Sequence, residues 1–174
     1  MKRTKSLIGD PKNWSIRPVD QADIPALIAM QQEGWTIDYK AYIPEGYAEI
    51  ALKRYGTVAA IEKNIQKDKY YFVAEYKGTL LGAISGTQLN ETEAEIWWIH
   101  VLISERGQGV GRVLIDYFKA QLPSSMKAIY VTTFEGYKPT ISFYQRVGFT
   151  PFKYLVQDYD GVTINDVRLK MVIQ

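Results

Sequence analysis

The chain contains no cysteine and only one histidine, His100, among its 174 residues. The absence of cysteine excludes a disulfide framework, a thiolate metal site and a cysteine nucleophile. A single histidine also excludes a histidine-rich metal site. We therefore expect a functional site without a bound metal.

The chain also has little net charge and no long apolar run. Its formal net charge is +2 at pH 7, which is too small to indicate a nucleic-acid partner. No apolar stretch reaches the roughly 20 residues that span a membrane. The basic start at Lys2, Arg3 and Lys5 is not followed by the apolar segment of a signal peptide. We expect a cytoplasmic protein that uses neither nucleic acid nor membrane as a partner, with residues 1–12 flexible.

The order of predicted elements indicates one domain, residues 1–174, built on a mixed α/β sheet. Apolar alternation predicts strands at 14–19, Tyr70–Tyr76, 80–89, 94–103, 128–134, 152–159 and 162–173. Helical spacing predicts helices from Asp20 to Gly34, over 45–69 with a break at Gly56, from Val110 to Pro123, and over 140–149. This order is not the regular alternation of a doubly wound parallel sheet, and its start is largely antiparallel.

Three glycines stand between a predicted strand and a predicted helix, in the stretch Arg-Gly-Gln-Gly-Val-Gly at 106–111. A helix N-terminus offers unpaired N–H donors, and glycines let an anion approach them closely. Arg106 and Arg112 add positive charge, so the stretch is suited to a phosphate group. A P-loop is excluded because no Gly-Lys-Ser/Thr follows, and the dinucleotide fingerprint lacks its third glycine at Arg112. From the glycines alone, a plain turn remains an equal alternative.

Two motifs resemble those of the GNAT superfamily of N-acetyltransferases. The stretch VLISERGQGVGRVL resembles its acetyl-CoA-binding motif, Arg/Gln-x-x-Gly-x-Gly/Ala, matched by Arg106, Gly109 and Gly111. Farther along, ISFYQRVGF at 141–149 resembles the superfamily's FY-x-x-x-GF segment. The order of elements from Trp14 to Ile173 also matches, so the resemblance covers most of the chain.

The resemblance implies a fold and a cofactor. The fold would be a mixed, mostly antiparallel sheet of about seven strands flanked by helices, with two central strands that splay apart. Acetyl-CoA would enter the gap, its pyrophosphate on backbone N–H groups of 106–111 and its pantetheine arm along 99–103. The implied cofactor contacts are Ile99, Val101, Ile103, Arg106, Gly107, Gln108, Gly109, Val110, Gly111, Arg112, Tyr137 and Tyr144.

The implied activity is direct transfer of an acetyl group to a primary amine of a small molecule or peptide. Such a reaction needs an oxyanion donor, a proton for the leaving thiolate and a base for the amine. The resemblance points to the N–H of Val101 as the oxyanion donor and to Tyr144 as the proton donor for the thiolate.

The residues offer more than one candidate for the base. Glu95 stands at the distance before the glycine motif where the histone-acetyltransferase branch has its glutamate base, and the neighbouring tryptophans favour a raised pKa. An ordinary strand glutamate is an equal alternative. His100 competes by chemistry, but it ranks below Glu95 because a lone histidine is more often a packing residue; many members of the superfamily instead relay the proton through water.

One departure concerns the cofactor, and one segment concerns the acceptor. Many members of the superfamily have an asparagine where this chain has Tyr137, whose hydroxyl is an alternative contact.

The region after the first helix usually lines the acceptor site, and aromatic rings with an acid there suit a cationic amine. The candidates are Trp35, Asp38, Tyr39, Tyr42 and Trp97; packing of the loop on the sheet is the alternative for each. Strand alternation predicts that only one of Trp97 and Trp98 reaches the cleft.

Another class of function carries the same motifs. A non-catalytic acyl-CoA-binding or sensing domain would match them equally well. The resemblance also makes a homodimer a candidate assembly.

Overall fold

The computed structural model describes residues 14–159 and 161–173. The start expected to be flexible, 1–12, and Asp160 in the last predicted turn lie outside these ranges. The described strands form one sheet in the order β1-β2-β3-β4-β5-β7-β6. Their bounds are β1 Ser15–Pro18, β2 Tyr70–Tyr76, β3 Thr79–Gln88, β4 Glu93–Val101, β5 Ala128–Phe134, β6 Thr150–Tyr159 and β7 Val162–Val172. The helices are α1 Ile24–Glu33, α2 Tyr47–Tyr55, α3 Val58–Lys67, α4 Val110–Gln121 and α5 Lys138–Arg146.

The sheet splits at its centre. Strands β4 and β5 run parallel, whereas the other neighbouring pairs among the described strands are antiparallel. Their pairing covers only Glu93–Ile96 of β4 against Ala128–Val131 of β5. Both strands continue beyond it, to Val101 and Phe134, without pairing to each other. The predicted mixed, mostly antiparallel sheet with splayed central strands is therefore confirmed.

Two apolar clusters lie on opposite faces of the sheet. Along β2, Phe72 and Ala74 belong to one cluster and Tyr71 and Val73 to the other, as the alternation of a strand requires. Helix α4 covers the first face with Leu114 and Phe118, both fully buried. Helices α1 and α3 cover the second face with Leu27 and Ile61. Each such side chain contributes about 1.5–3 kcal/mol on burial, so helix burial keeps the split sheet together.

The first helix does not stop where its sequence predicts. Gly34 was expected to end it, but Gly34 has helical dihedral angles and begins a π-helical turn, Gly34–Asp38. A Cβ at Gly34 would lie 3.5 Å from His100 Nδ1, so the position is close against the sheet. The turn carries Asp38 toward the gap between β4 and β5.

The central strand β4 is shorter than predicted. The strand expected over 94–103 ends at Val101, and Ile103–Glu105 forms a 3₁₀ turn. The backbone N–H of Ile103 donates to Glu33 Oε1 at 2.6 Å. Within the described ranges no helix is both long and apolar enough to cross a membrane.

Candidate active site

A cavity of about 470 Å³ occupies the gap between the diverging strands. Its walls come from the C-terminal half of β4, the end of β5, the glycine loop, the start of α4, and α5. The turn after α1 closes one side with Asp38 and Tyr39. Because β4 and β5 separate here, the cavity lies where a sheet leaves backbone groups without strand partners.

The glycine loop presents backbone N–H groups to the cavity. Gly107 and Gly109 have positive φ angles of 80° and 91°, a conformation that glycine adopts without strain. Gly109 is the N-cap of α4 and offers no side chain to its first turn, so the first N–H groups of α4 are left for a ligand. Nothing lies within 4 Å of a Cβ built on Gly107 or Gly109, so the loop is open.

Gly111 is constrained for a different reason. A Cβ there would lie 2.9 Å from the Phe143 ring on α5. The last glycine of the motif therefore allows α4 and α5 to approach each other beside the cavity.

The edge of β4 faces the gap at Val101. The N–H of Leu102 donates to Leu81 O at 3.0 Å, so the alternation of an antiparallel ladder turns the backbone groups of Val101 away from β3. The carbonyl of Val101 accepts from Arg106 Nε at 3.0 Å. The N–H of Val101 consequently points into the gap.

A β-bulge at Trp97 resets the faces of β4. Ser85 pairs with Trp98 and Gly86 with Ile96, which leaves Trp97 as the extra residue. Ile96 and Ile99 both contact the first core cluster as a result. Both tryptophans line the cavity, so the expectation that only one would reach it is wrong: simple alternation does not continue through a bulge.

Tyr144 lies in the wall of the cavity. It is 4% exposed and its ring contacts those of Phe143 and Phe149. Burial, followed by the neighbouring Tyr39, raises the pKa of its phenol well above the usual value. The hydroxyl is therefore protonated throughout the neutral range and can act as a proton donor.

Charged side chains connect the glycine loop to the turn after α1. Arg106 donates to both carboxylate oxygens of Asp38, through Nη1 at 2.7 Å and through Nη2. Burial opposes the charge of Arg106, but the hydrogen bonds and charge of Asp38 leave its pKa raised. Asp38 Oδ2 lies 3.9 Å from His100 Nδ1, and Glu33 Oε1 lies 3.6 Å from His100 Nε2.

His100 is buried between these groups. Its Nε2 has no hydrogen-bond partner and its ring stacks on Trp98 at an interplanar angle of 4°. Burial and the charge of Arg106 lower the pKa of His100, although Glu33 and Asp38 oppose that shift. The imidazole is therefore neutral at pH 7 and lines the cavity.

The structure brings most of the sequence-predicted residues together. The cavity is lined by Ile99, Val101, Arg106, Gly107, Gly109, Val110, Gly111, Arg112, Tyr137, Tyr144, Asp38, Tyr39 and Trp97. Five others lie outside its lining: Ile103, Gln108, Glu95, Trp35 and Tyr42. Trp35 packs among Tyr39, Tyr47, Tyr55 and Phe134, and Tyr42 stacks at a tilt on Tyr137 at 4.7 Å.

Glu95 precedes the bulge and stands apart from the cavity. It pairs across the parallel ladder with Tyr130. Its Oε1 lies 3.2 Å from Arg168 Nη2, and the Arg168 guanidinium lies over the Tyr130 ring at 4.6 Å. Glu95 is thus in a partly buried ion pair outside the cavity lining.

Some site residues were not found from the sequence. Phe143 lies inside the FY segment, so that motif was a signal for it. No signal in the sequence pointed to Glu33, because its contact with His100 joins residues far apart in the chain. No group of three or more metal-ligating side chains is suitably placed in the described ranges.

Comparison with known sequences identifies the family. The model of the "Acetyltransferase (GNAT) family" matches residues 28–149, which include the splayed strands, the glycine loop and α5. The chain belongs to the GNAT family. A curated relative, an uncharacterised N-acetyltransferase of Chlorobaculum tepidum, is 32% identical over 110 residues, and the match covers 62% of this chain and 64% of the relative. The chain thus matches less than two thirds of that relative's length.

Solved structures agree with this GNAT fold. PaiA N-acetyltransferase of Thermoplasma acidophilum, solved with coenzyme A, has a TM-score of 0.73 and 19% identity, covering 92% of this chain and 99% of that one. YncA of Salmonella typhimurium, described as a putative acetyltransferase and solved with acetyl-CoA, has a TM-score of 0.68 and 19% identity, covering 93% and 95%. At this identity the likeness shows the fold.

Proposed function

We propose that this chain is an acetyl-CoA-dependent N-acetyltransferase that acetylates a primary amine of a small molecule or peptide. The observation that carries the proposal is the cavity between β4 and β5, with a glycine loop at one end and Tyr144 in its wall. The family and the two cofactor-bound neighbours support it.

The residues present fit coenzyme A. The open N–H groups of the Gly107–Gly109 loop and of the first turn of α4 suit a pyrophosphate. Arg112 adds positive charge at the same end of the cavity. The β4 edge at Ile99 and Val101 suits an extended, amide-bearing arm, since its backbone groups lack a strand partner there. When bound, acetyl-CoA supplies an acetyl group activated as a thioester.

The chain contributes two groups at the reacting end. The N–H of Val101, which faces the gap, is placed to hold the acetyl oxygen as its charge increases. We assign to the Tyr144 hydroxyl, which lines the cavity and is protonated at neutral pH, the donation of a proton to the departing sulfur.

For the proton of the amine, Glu95 and His100 are the two candidates, and contact with the cavity favours His100. Its neutral imidazole lines the cavity, and its Nε2 makes no hydrogen bond, with Glu33 Oε1 3.6 Å away. Glu95 lies outside the lining and is paired with Arg168. We propose that His100 accepts the proton through water, because its Nε2 is buried.

The cavity lining includes the aromatic rings of Trp97, Trp98 and Tyr39, and we assign the acceptor amine to this part of the wall. Asp38 is already bound to Arg106. The aromatic walls are therefore the part of the site that can contact a cationic acceptor directly.

The test has two steps. Calorimetry with coenzyme A and acetyl-CoA should show saturable binding to the wild-type protein. A panel of polyamines, amino acids, aminoglycosides and peptides is then screened by the free thiol released from acetyl-CoA. Absence of cofactor binding by folded protein contradicts the proposal, and binding without turnover on any acceptor favours the non-catalytic acyl-CoA-binding alternative.

A further inference from the structure

The side chain of Arg106 faces away from the loop whose backbone would hold the phosphates. Its Nη1 and Nη2 both bind Asp38, and its Nε binds the carbonyl of Val101. Three of its donors are therefore occupied within the protein. To bind the Arg106 guanidinium, a phosphate at the glycine loop would have to displace the carboxylate of Asp38, whose side chain is only 9% exposed.

Asp38 belongs to a segment that encloses the cavity from the other side. It ends the π-helical turn Gly34–Asp38, and the next residue, Tyr39, places its ring 5.5 Å from that of Tyr137. Tyr42 contacts the same Tyr137 ring at 4.7 Å. The segment is thus attached to the cofactor side of the cleft at Arg106 and at Tyr137.

The third contact of Arg106 is on the strand edge itself. By occupying the carbonyl of Val101 it leaves the N–H as the polar group that Val101 presents to the gap. One guanidinium thereby links the glycine loop, the edge of β4 and the turn after α1. These three elements provide, respectively, the proposed phosphate site, the proposed oxyanion donor and a wall of the acceptor side.

We propose that Asp38 and Arg106 are positioning residues that couple coenzyme A binding at residues 106–111 to the order of residues 34–46. The pair does not contact the phosphates; it transmits the ordering of the glycine loop to the acceptor wall. A bidentate Arg–carboxylate pair suits this role because both its length and its orientation are fixed. This inference rests on the proposed function, since coenzyme A is the ligand.

Hydrogen–deuterium exchange combined with calorimetry tests the coupling without an acceptor. In the wild type, coenzyme A should slow exchange in residues 34–46 by about fivefold or more. Asp38→Asn should bind coenzyme A with unchanged affinity but lose that transmitted protection, and Arg106→Gln should lose the same protection with much less than a tenfold change in affinity. The double variant should lose no more protection of residues 34–46 than either single variant, because both substitutions break the same Asp38–Arg106 pair. Asp116→Asn, on the exposed side of α4, is the matched control and should behave as wild type.

The opposite role for Arg106 gives a different pattern. If its guanidinium contacts the phosphates, Arg106→Gln should weaken coenzyme A binding about tenfold or more, and Asp38→Asn should keep or improve it. That result overturns the proposal, as does equal protection of 34–46 in all variants.

A conservative change guards against loss of folding. Arg106→Lys retains the charge and one bond to Asp38 but loses the bond to Val101 O. We therefore expect coenzyme A to protect residues 34–46 from exchange to an intermediate extent in this variant. Full wild-type protection would contradict the proposal that Arg106 acts by joining the glycine loop, β4 and the turn after α1. If folded wild type does not bind coenzyme A, the proposed function fails and this inference with it. Binding without transmitted protection overturns this inference alone.

Discussion

At the scale of single residues, burial holds two side chains of the cavity wall, Tyr144 and His100, in their neutral forms. Burial raises the pKa of Tyr144, so the phenol retains its proton. Burial lowers the pKa of His100, so the imidazole is neutral and has a lone pair available. The same physical cause, loss of hydration of the charged form, thus prepares a donor and an acceptor in one cleft.

Tyr144→Phe should lower kcat about 100-fold or more, the usual contribution of a positioned acid, with little change in acetyl-CoA affinity. The measurement is steady-state thiol release together with calorimetry. Tyr154→Phe is the control, because Tyr154 is 64% exposed and lies outside the cavity lining. An unchanged kcat in Tyr144→Phe would show that the thiolate needs no proton from this residue.

His100→Asn should lower kcat/KM about tenfold or more and remove the acid limb of its pH profile, as loss of a general base does. That limb should lie below pH 6.5, the ordinary value from which the pKa of His100 is lowered. Glu95→Gln should leave both rate and profile near wild type, because Glu95 lies outside the cavity. The reverse pattern would identify Glu95 as the base.

At the scale of elements, the glycine loop and α4 owe their geometry to two different properties of glycine. Gly107 and Gly109 provide positive φ angles, which bring backbone N–H groups to the cavity. Gly111 provides space, since its missing Cβ admits the Phe143 ring of α5. The loop conformation and the packing of α4 on α5 are therefore separable by mutation.

Gly111→Ala should destabilise the fold by about 1–3 kcal/mol, the usual cost of overpacking, and weaken coenzyme A binding. Chemical denaturation and calorimetry measure the two effects. The double variant Gly111→Ala with Phe143→Leu should recover part of the stability, because the smaller side chain leaves room for the new methyl group. Equal stability of Gly111→Ala and wild type would mean that α5 moves away without cost.

At the scale of the whole molecule, the cavity exists because the sheet is closed by helices on both faces while two of its central strands part. Helix α4 on one face and helices α1 and α3 on the other bury continuous apolar clusters. The gap does not unfold the sheet, since β4 remains paired with β3 up to Val101 and β5 remains paired with β7 up to Phe134.

Stability should fall as pH decreases below about 6.5, because His100 must charge in a buried position. Its folded pKa is lowered, so the unfolded chain binds more protons in this range and stability rises with pH, by at most about 1.4 kcal/mol per unit. Thermal melting from pH 5 to 7.5 should show a smaller slope for His100→Asn than for wild type. Equal slopes would mean that His100 does not titrate in this range.

The resemblance to GNAT motifs pointed to Tyr144, whereas the sequence by itself determined the order of elements and the glycine loop. These features depend on local causes: strand alternation, helix spacing, and the conformations that only glycine adopts. Most helices and strands accordingly lie within a few residues of their predicted bounds. The exceptions are at Gly34, where the helix continues into a π-helical turn, and at Ile103, whose N–H donates to Glu33 instead of extending β4.

Only the tertiary structure decided how the cleft residues are used. The bulge at Trp97 turned both tryptophans to the cavity, and it depends on register with β3, which no local pattern encodes. The pairing of Asp38 with Arg106, 68 positions apart, arises from packing of the turn after α1 against the glycine loop, and that of Glu95 with Arg168 arises from strand order. Charge and hydrogen bonding act over a few ångströms in space, so the partners of a side chain become known only when distant segments have been brought together.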